Sequence, residues 1–199
     1  MSTRERLLDA TERIIRDRGI AAVTTKDIAR EAGFAEATLY RHFQDKTDLL
    51  LCVFGERLPG HFLALIRDLP ARAGEGTVAA NLEQLAAAAA AFFAQTAPLS
   101  VAVAADPALA ARHYARLRDL GVGPEAAHQA LAAYLRAEQG RGRVRAEVDP
   151  DAATTLLLGV CFNDAYARHV AGAHATMLPA ERFATEIVRT LLIGLAPPA

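Results

Sequence analysis

The stretch TTKDIAREAGFAEATLYRHFQDKTDLL, Thr24 to Leu50, decides the fold. Thr24 with Asp27 three residues on is a helix-opening pattern, because the threonine hydroxyl can accept a hydrogen bond from the first helical turn. Ile28, Ala29 and Ala32 then give that helix one apolar face. Gly33 ends it: lacking a Cβ, glycine takes positive φ freely, so the chain turns sharply. A second helix starts near Ala35 or Glu36. Leu39 and Phe43 face inward on it, while Ala37, Tyr40, Arg41 and Gln44 fall on the opposite side at ~100° per residue. Ala29 is small where two helices must cross. This is a helix-turn-helix, and the second helix of such a unit enters the DNA major groove.

The same residues carry a resemblance. The repeated Thr24-Thr25, Asp27-Ile28-Ala29, Ala32-Gly33, Thr38-Leu39-Tyr40, His42-Phe43 and Lys46 resemble, in identity and spacing, the DNA-binding domain of the tetracycline-repressor (TetR) family of bacterial transcription regulators. The resemblance extends back through the first helix and forward to Leu50. Two positions depart from it. Ala35 stands where the family usually has a small hydroxyl residue, and Ala37 where it often has glycine. An alanine N-cap costs ~1 kcal/mol relative to serine, and Glu36 offsets part of that through the helix dipole. The resemblance implies that Thr25, Tyr40 and Lys46 hold phosphates while Glu36, Ala37, Tyr40 and Arg41 lie near base edges, with Lys26, Thr38 and His42 beside them. It further implies a homodimer on a roughly palindromic operator, a small-molecule effector, and repression.

Composition sets limits around this motif. A chain of 199 residues that is 52% hydrophobic is not disordered and can bury a core. Its 22 basic and 23 acidic residues nearly cancel, and the first 48 residues hold nine of each. DNA affinity must therefore come from placement rather than bulk charge. Lys26 and Lys46 are the only lysines. Cys52 and Cys161 lack metal-like spacing and read as buried thiols. The N-terminus has no apolar signal core, and the longest uninterrupted apolar run, Leu85 to Ala94, is too short to span a bilayer. A cytoplasmic protein without membrane or cofactor is expected.

Taken in order, helix one runs from Arg4 to Arg18 with Leu7, Leu8, Ala10, Thr11, Ile14 and Ile15 on one side, and Gly19 stops it. Ile20 and Val23 should lie under the helix pair. A helix from Lys46 through Leu49, Leu50, Val53 and Phe54 meets Pro59-Gly60, which kinks or breaks it. Phe62, Leu65, Ile66 and Leu69 continue the apolar pattern to a Pro- and Gly-rich loop at 70–76. An alanine-rich helix is expected over 77–96. Pro98, Pro107 and the Gly121–Pro124 turn should divide 99–139 into short helices, followed by an arginine-rich connector over 140–148. Asp149-Pro150 opens a long helix to about Ala171, and Pro179 another. No strand alternation is present, so the chain reads as all-α. A DNA-binding domain over 1–48 and a ligand-binding and dimerisation domain over 49–199 are expected.

The last helix carries Phe183, Ile187, Leu191 and Leu195 at four-residue spacing, flanked by Val188 and Leu192. That stripe is wider than one neighbour needs, so a homodimer joined by the two C-terminal helices is expected, with small Gly159, Ala165 and Gly194 allowing close approach. A ligand pocket would draw on Phe62, Phe92, Phe93, Tyr114, Phe162 and Tyr166, with His113 and Asn163 as polar groups. Asp164 precedes Arg168 by four residues and reads as half of a structural ion pair. An effector that is largely apolar and neutral follows. The competing classes are a helical-bundle metalloenzyme, suggested by Glu125-Ala126-Ala127-His128, and an interaction module without DNA binding. A di-iron bundle needs that motif twice, and it occurs once.

Overall fold

The computed structural model describes residues 1–19, 22–56, 61–172 and 178–194; of the residues named above, Ile20, Pro59, Gly60 and Leu195 lie outside these, as does the side chain of Phe54. The described residues are helical without strands. The helices are α1 (Thr3–Arg18), α2 (Thr25–Ala32), α3 (Glu36–Leu39), α4 (Lys46–Glu56), α5 (His61–Asp68), α6 (Val78–Ala104), α7 (Pro107–Asp119), α8 (Pro124–Gln139), α9 (Pro150–Ala171) and α10 (Ala180–Ile193). They form two compact units: Met1–Pro59 with Pro98–Leu120, and Gly60–Ala97 with Gly121–Ala199. By packing, α4 and α7 both belong with the N-terminal helices.

In the first unit, Leu7, Leu8, Ile14, Val23, Ile28, Leu39, Phe43 and Leu49 form the middle of one apolar core. Each end of α2 is built as its residues dictate. The Asp27 amide donates to Thr24 Oγ1 at 3.0 Å, and that hydroxyl donates to Asp27 Oδ2 at 2.7 Å. Gly33 follows at φ 75°, ψ 36°, where its neighbour's amide, Phe34 N, donates to Ala29 O at 2.8 Å. Arg6 completes this cap: its Nη2 donates to Ala32 O at 2.8 Å, and its guanidinium lies 4.5 Å from the Phe34 ring centroid. A Cβ at Gly33 would stand 3.1 Å from Arg6 Nη2. Gly33→Ala should thus destabilise the unit by about 1–2 kcal/mol from left-handed strain alone; a urea midpoint equal to wild type would contradict this account.

Helix α7 joins this unit through polar contacts. Glu56 of α4 accepts from Arg4 of α1 at 2.7 and 2.8 Å and also pairs with Arg116 of α7. Arg116 Nη1 lies 3.2 Å from Cys52 Sγ, and burial pushes the Cys52 thiol up in pKa. Arg112 donates to the side chain of Gln44, so a residue placed on the outward face by periodicity is engaged from a helix 68 positions away.

The second unit centres on Phe62, Ile66, Leu82, Leu85, Leu131, Tyr134, Leu157, Cys161, Phe183 and Val188. Helix α6 does not stop near Thr96 as expected. It runs through Pro98 to Ala104, contributing to the second unit up to Ala97 and to the first from Pro98. Proline removes one backbone bond, and the flanking Ala97, Leu99 and Val103 are all buried, so packing holds the helix where propensity alone would end it. Part of this helix has the length and composition of a membrane span, and Leu82, Leu85, Ala86 and Ala89 within it are buried in the unit. Burial pushes the Cys161 thiol up to about 12.

The arginine-rich connector has a specific task. Arg143 pairs with the fully buried Glu138 at 2.8 Å and donates to the carbonyls of Gly74 and Gly76 at 3.0 and 3.1 Å. Glu138 also accepts from Gly74 N at 3.1 Å, and Asn81 Nδ2 reaches both Glu75 O and the Tyr134 hydroxyl at 3.0 Å. Burial alone would raise the Glu138 pKa; the Gly74 amide, the Tyr134 hydroxyl and Arg143 outweigh it and hold the carboxyl low.

Candidate nucleic-acid interface

Helix α3 is shorter than its apolar spacing suggests. One regular turn, Glu36–Leu39, is continued by tighter bonds from Arg41 N to Thr38 O and His42 N to Leu39 O. Ala35 offers no side-chain cap, and Thr38, Tyr40, His42 and Phe43 are weak helix formers, which explains the tightening. The inward and outward assignment holds: Leu39 and Phe43 are buried, while Ala37, Tyr40, Arg41 and Gln44 are exposed. Lys26, Glu36 and His42 are exposed as well, and Thr25, Thr38 and Lys46 are half-buried. These residues lie in the α2–α3–α4 segment, outside the apolar core that Ile28, Leu39, Phe43 and Leu49 help to form.

The charges on this side divide into occupied and available groups. Asp27 is bound by Thr24 and Arg30, and its pKa is lowered first by the Thr24 hydroxyl and then by nearby Arg30. Among the described residues Lys26, Arg41 and Lys46 form no ion pair, so three cations are available to phosphate. Asp45 caps α4 through the Asp48 amide at 2.7 Å, holding Lys46 in the first turn. The Thr25 hydroxyl, expected to hold a phosphate, instead donates to Glu36 Oε1. Nothing in the periodicity announced that bond, although two side chains opening neighbouring helices are placed to meet.

Two further groups of candidates fall in the second unit. Phe62, Phe92, Phe93 and Phe162 come together, with ring centroids 5.2 Å apart for Phe62–Phe92, 5.8 Å for Phe62–Phe93 and 5.6 Å, edge to face, for Phe93–Phe162. Asn163 and Tyr166, expected beside them, are exposed on α9. His113 and Tyr114 belong to the first unit; His113 Nδ1 is buried without a hydrogen-bond partner among the described residues, and burial lowers its pKa, keeping the ring neutral near pH 7. Asp164 is buried and pairs with Arg168 at 2.8 Å, as the four-residue spacing suggested.

Most of the expected dimer residues face their own unit in the single chain. Ala165, Phe183 and Val188 are buried inside their own unit, and Ile187 and Leu191 pack partly against the same core. The outward apolar surface lies elsewhere. Leu156, Gly159, Asn163, Tyr166 and Val170 are all exposed at three- and four-residue steps along α9, and Leu192 and Ile193 are exposed at the end of α10. Alternate steps of three and four are the seam spacing of a helix that pairs with another.

Residues 7–53 match the pattern described as bacterial regulatory proteins, tetR family, and residues 106–193 match that of the AefR-like transcriptional repressor, C-terminal domain. The chain belongs to the tetR family. Within this family it is 42% identical over 48 residues to the helix-turn-helix-type regulator YvkB of Bacillus subtilis, covering 24% of this chain and 25% of that one. It is 28% identical over 97 residues to the regulator AcrR of Shigella flexneri, covering 42% and 45%. The matched stretches thus span less than half of either relative. FadR from Bacillus subtilis, solved in complex with stearoyl-CoA, superposes with a TM-score of 0.63 at 16% identity over 96% of this chain and 99% of that one. As a tetR-family chain the protein carries its helix-turn-helix in α2 and α3, with α4 bearing Lys46.

Proposed function

We propose that this protein is a ligand-responsive, DNA-binding transcriptional repressor, cytoplasmic and without a catalytic role, which binds a palindromic operator as a homodimer. The observation that carries the reading is the exposed α2–α3–α4 side, where three unpaired cations and Tyr40 stand over a fully closed apolar core. DNA reading belongs to residues 1–48, and effector binding and dimerisation to 49–199. Tyr40 and Lys46 lie on the phosphate side of the reading surface, with Ala37, Tyr40 and Arg41 toward base edges. The partner is a second copy of the chain, met through the α9 seam and the end of α10 in a four-helix arrangement.

The effector in this reading is a small, largely apolar molecule. The phenylalanine cluster supplies the apolar contact. Arg136, Arg143 and Arg168 of the second unit are engaged with Asp151, Glu138 and Asp164. FadR was solved with stearoyl-CoA; the acyl portion of such a ligand is what a phenylalanine cluster suits.

Selection of bound sequences from random duplex DNA tests the reading, and recovery of no enriched palindrome would refute it. On the selected site, Lys46→Ala should weaken binding about equally for all sequences and lower the slope of log affinity against log salt by about one. Titration at several salt concentrations measures this.

A further inference from the structure

Glu36 is an acid on a surface read here as facing DNA, and this inference rests on that reading. A carboxylate placed against phosphate is repelled, so on a working DNA surface it must sit where a base presents a hydrogen-bond donor. Its position is not left to chance. The Thr25 hydroxyl, from the first residue of α2, donates to Glu36 Oε1 at the first residue of α3. A hydroxyl has one proton to donate. While Thr25 gives it to Glu36, it cannot give it to a phosphate. Of the Glu36 carboxylate, Oε1 is turned to Thr25 and Oε2 remains an acceptor on an exposed side chain. Ala35 and Ala37 on either side carry only methyl groups.

We propose that Glu36 is a specificity-determining residue that selects cytosine, and that Thr25 is the positioning residue that aims it. In the major groove, cytosine offers only its N4 amino donor, whereas adenine sets an N7 acceptor beside its amino group, and guanine and thymine present acceptors. A fixed carboxylate oxygen accepts from the first and repels the lone pairs of the others. Thr25 thereby takes a different part from the phosphate contact that the sequence suggested.

The experiment is selection from random duplex DNA with the full chain, followed by titration of the selected site and its single-base variants. Wild type should require a G·C pair at one position in each half-site, with discrimination of roughly 5- to 150-fold. Glu36→Gln, isosteric and exposed, should move the preference at that position to adenine, whose N6 and N7 suit an amide. Thr25→Val should reduce discrimination there several-fold while leaving the salt slope unchanged. An unchanged consensus for Glu36→Gln overturns the assignment of Glu36. Uniform weakening by Thr25→Val, with a lower salt slope and intact discrimination, overturns its positioning role and returns it to phosphate. Failure of wild type to enrich any sequence is a different result, which removes the DNA-binding reading itself and this proposal with it.

Discussion

Replacing Leu156 and Val170 together by glutamate should convert the protein from a dimer into a monomer of 21.2 kDa at micromolar concentration, and should lower operator affinity by roughly 10²- to 10⁴-fold. The two side chains are 64% and 65% exposed in the single chain, so the substitutions remove no contact within it. In a symmetric pair each is used twice, and each large apolar side chain buried contributes ~1.5–3 kcal/mol. Four carboxylates in the same seam would have to be desolvated without partners, which costs further. Operator affinity falls because a monomer engages one half-site at a time and loses the millimolar effective concentration that linkage gives the second. Leu191→Glu is a poorer probe, since Leu191 packs partly against its own core and its loss could unfold the chain. Sedimentation velocity with thermal melting separates the outcomes: a folded double variant that still sediments as a dimer would place the interface elsewhere.

How much of this was legible in the residues follows from the range of each interaction. Local signals were read well. Thr24 and Asp149 cap helices, Gly33 turns left-handed, and Leu39 and Phe43 point inward, because caps and periodicity act within a few residues. Signals that depend on a distant partner were not. Arg143 reads as one arginine in a charged connector until Gly74, 69 residues earlier, is brought beside it. Pro98 reads as a break, and only the burial of Ala97, Leu99 and Val103 shows why the helix passes through it. The α10 stripe reads as too wide for one neighbour, but an apolar stripe states that burial occurs and not against what. Phe183 and Val188 turned to their own core, while Leu156 and Val170 stay exposed on α9, where Gly159, Asn163 and Tyr166 interrupt the apolar pattern enough to hide their common face. In the α2–α3–α4 segment, geometry alone revealed that Thr25 and Glu36 are hydrogen-bonded to each other.

Phe62→Ala should cost about 3–5 kcal/mol in the second unit, the range for deleting a buried aromatic ring. Phe62 is almost fully buried and touches both Phe92 and Phe93, so its removal strips two ring contacts and leaves a void that flanking helices cannot fill without moving. The same residue decides between a closed core and an effector site. If the cluster binds the effector, neutral apolar compounds that raise the melting temperature of wild type should raise that of Phe62→Leu similarly and of Phe62→Ala much less, and should release operator DNA in the same rank order. The polar environment points the same way: Asp164 is neutralised by Arg168, and the nearest α9 cysteine, Cys161, is held protonated, so a charged ligand finds no fixed countercharge there. Thermal shifts across a compound panel, run beside operator release, give the result. Stabilisation only by strongly cationic or polyanionic compounds, with equal shifts in wild type and Phe62→Ala, would place effector recognition outside the phenylalanine cluster and leave Phe62 as core alone.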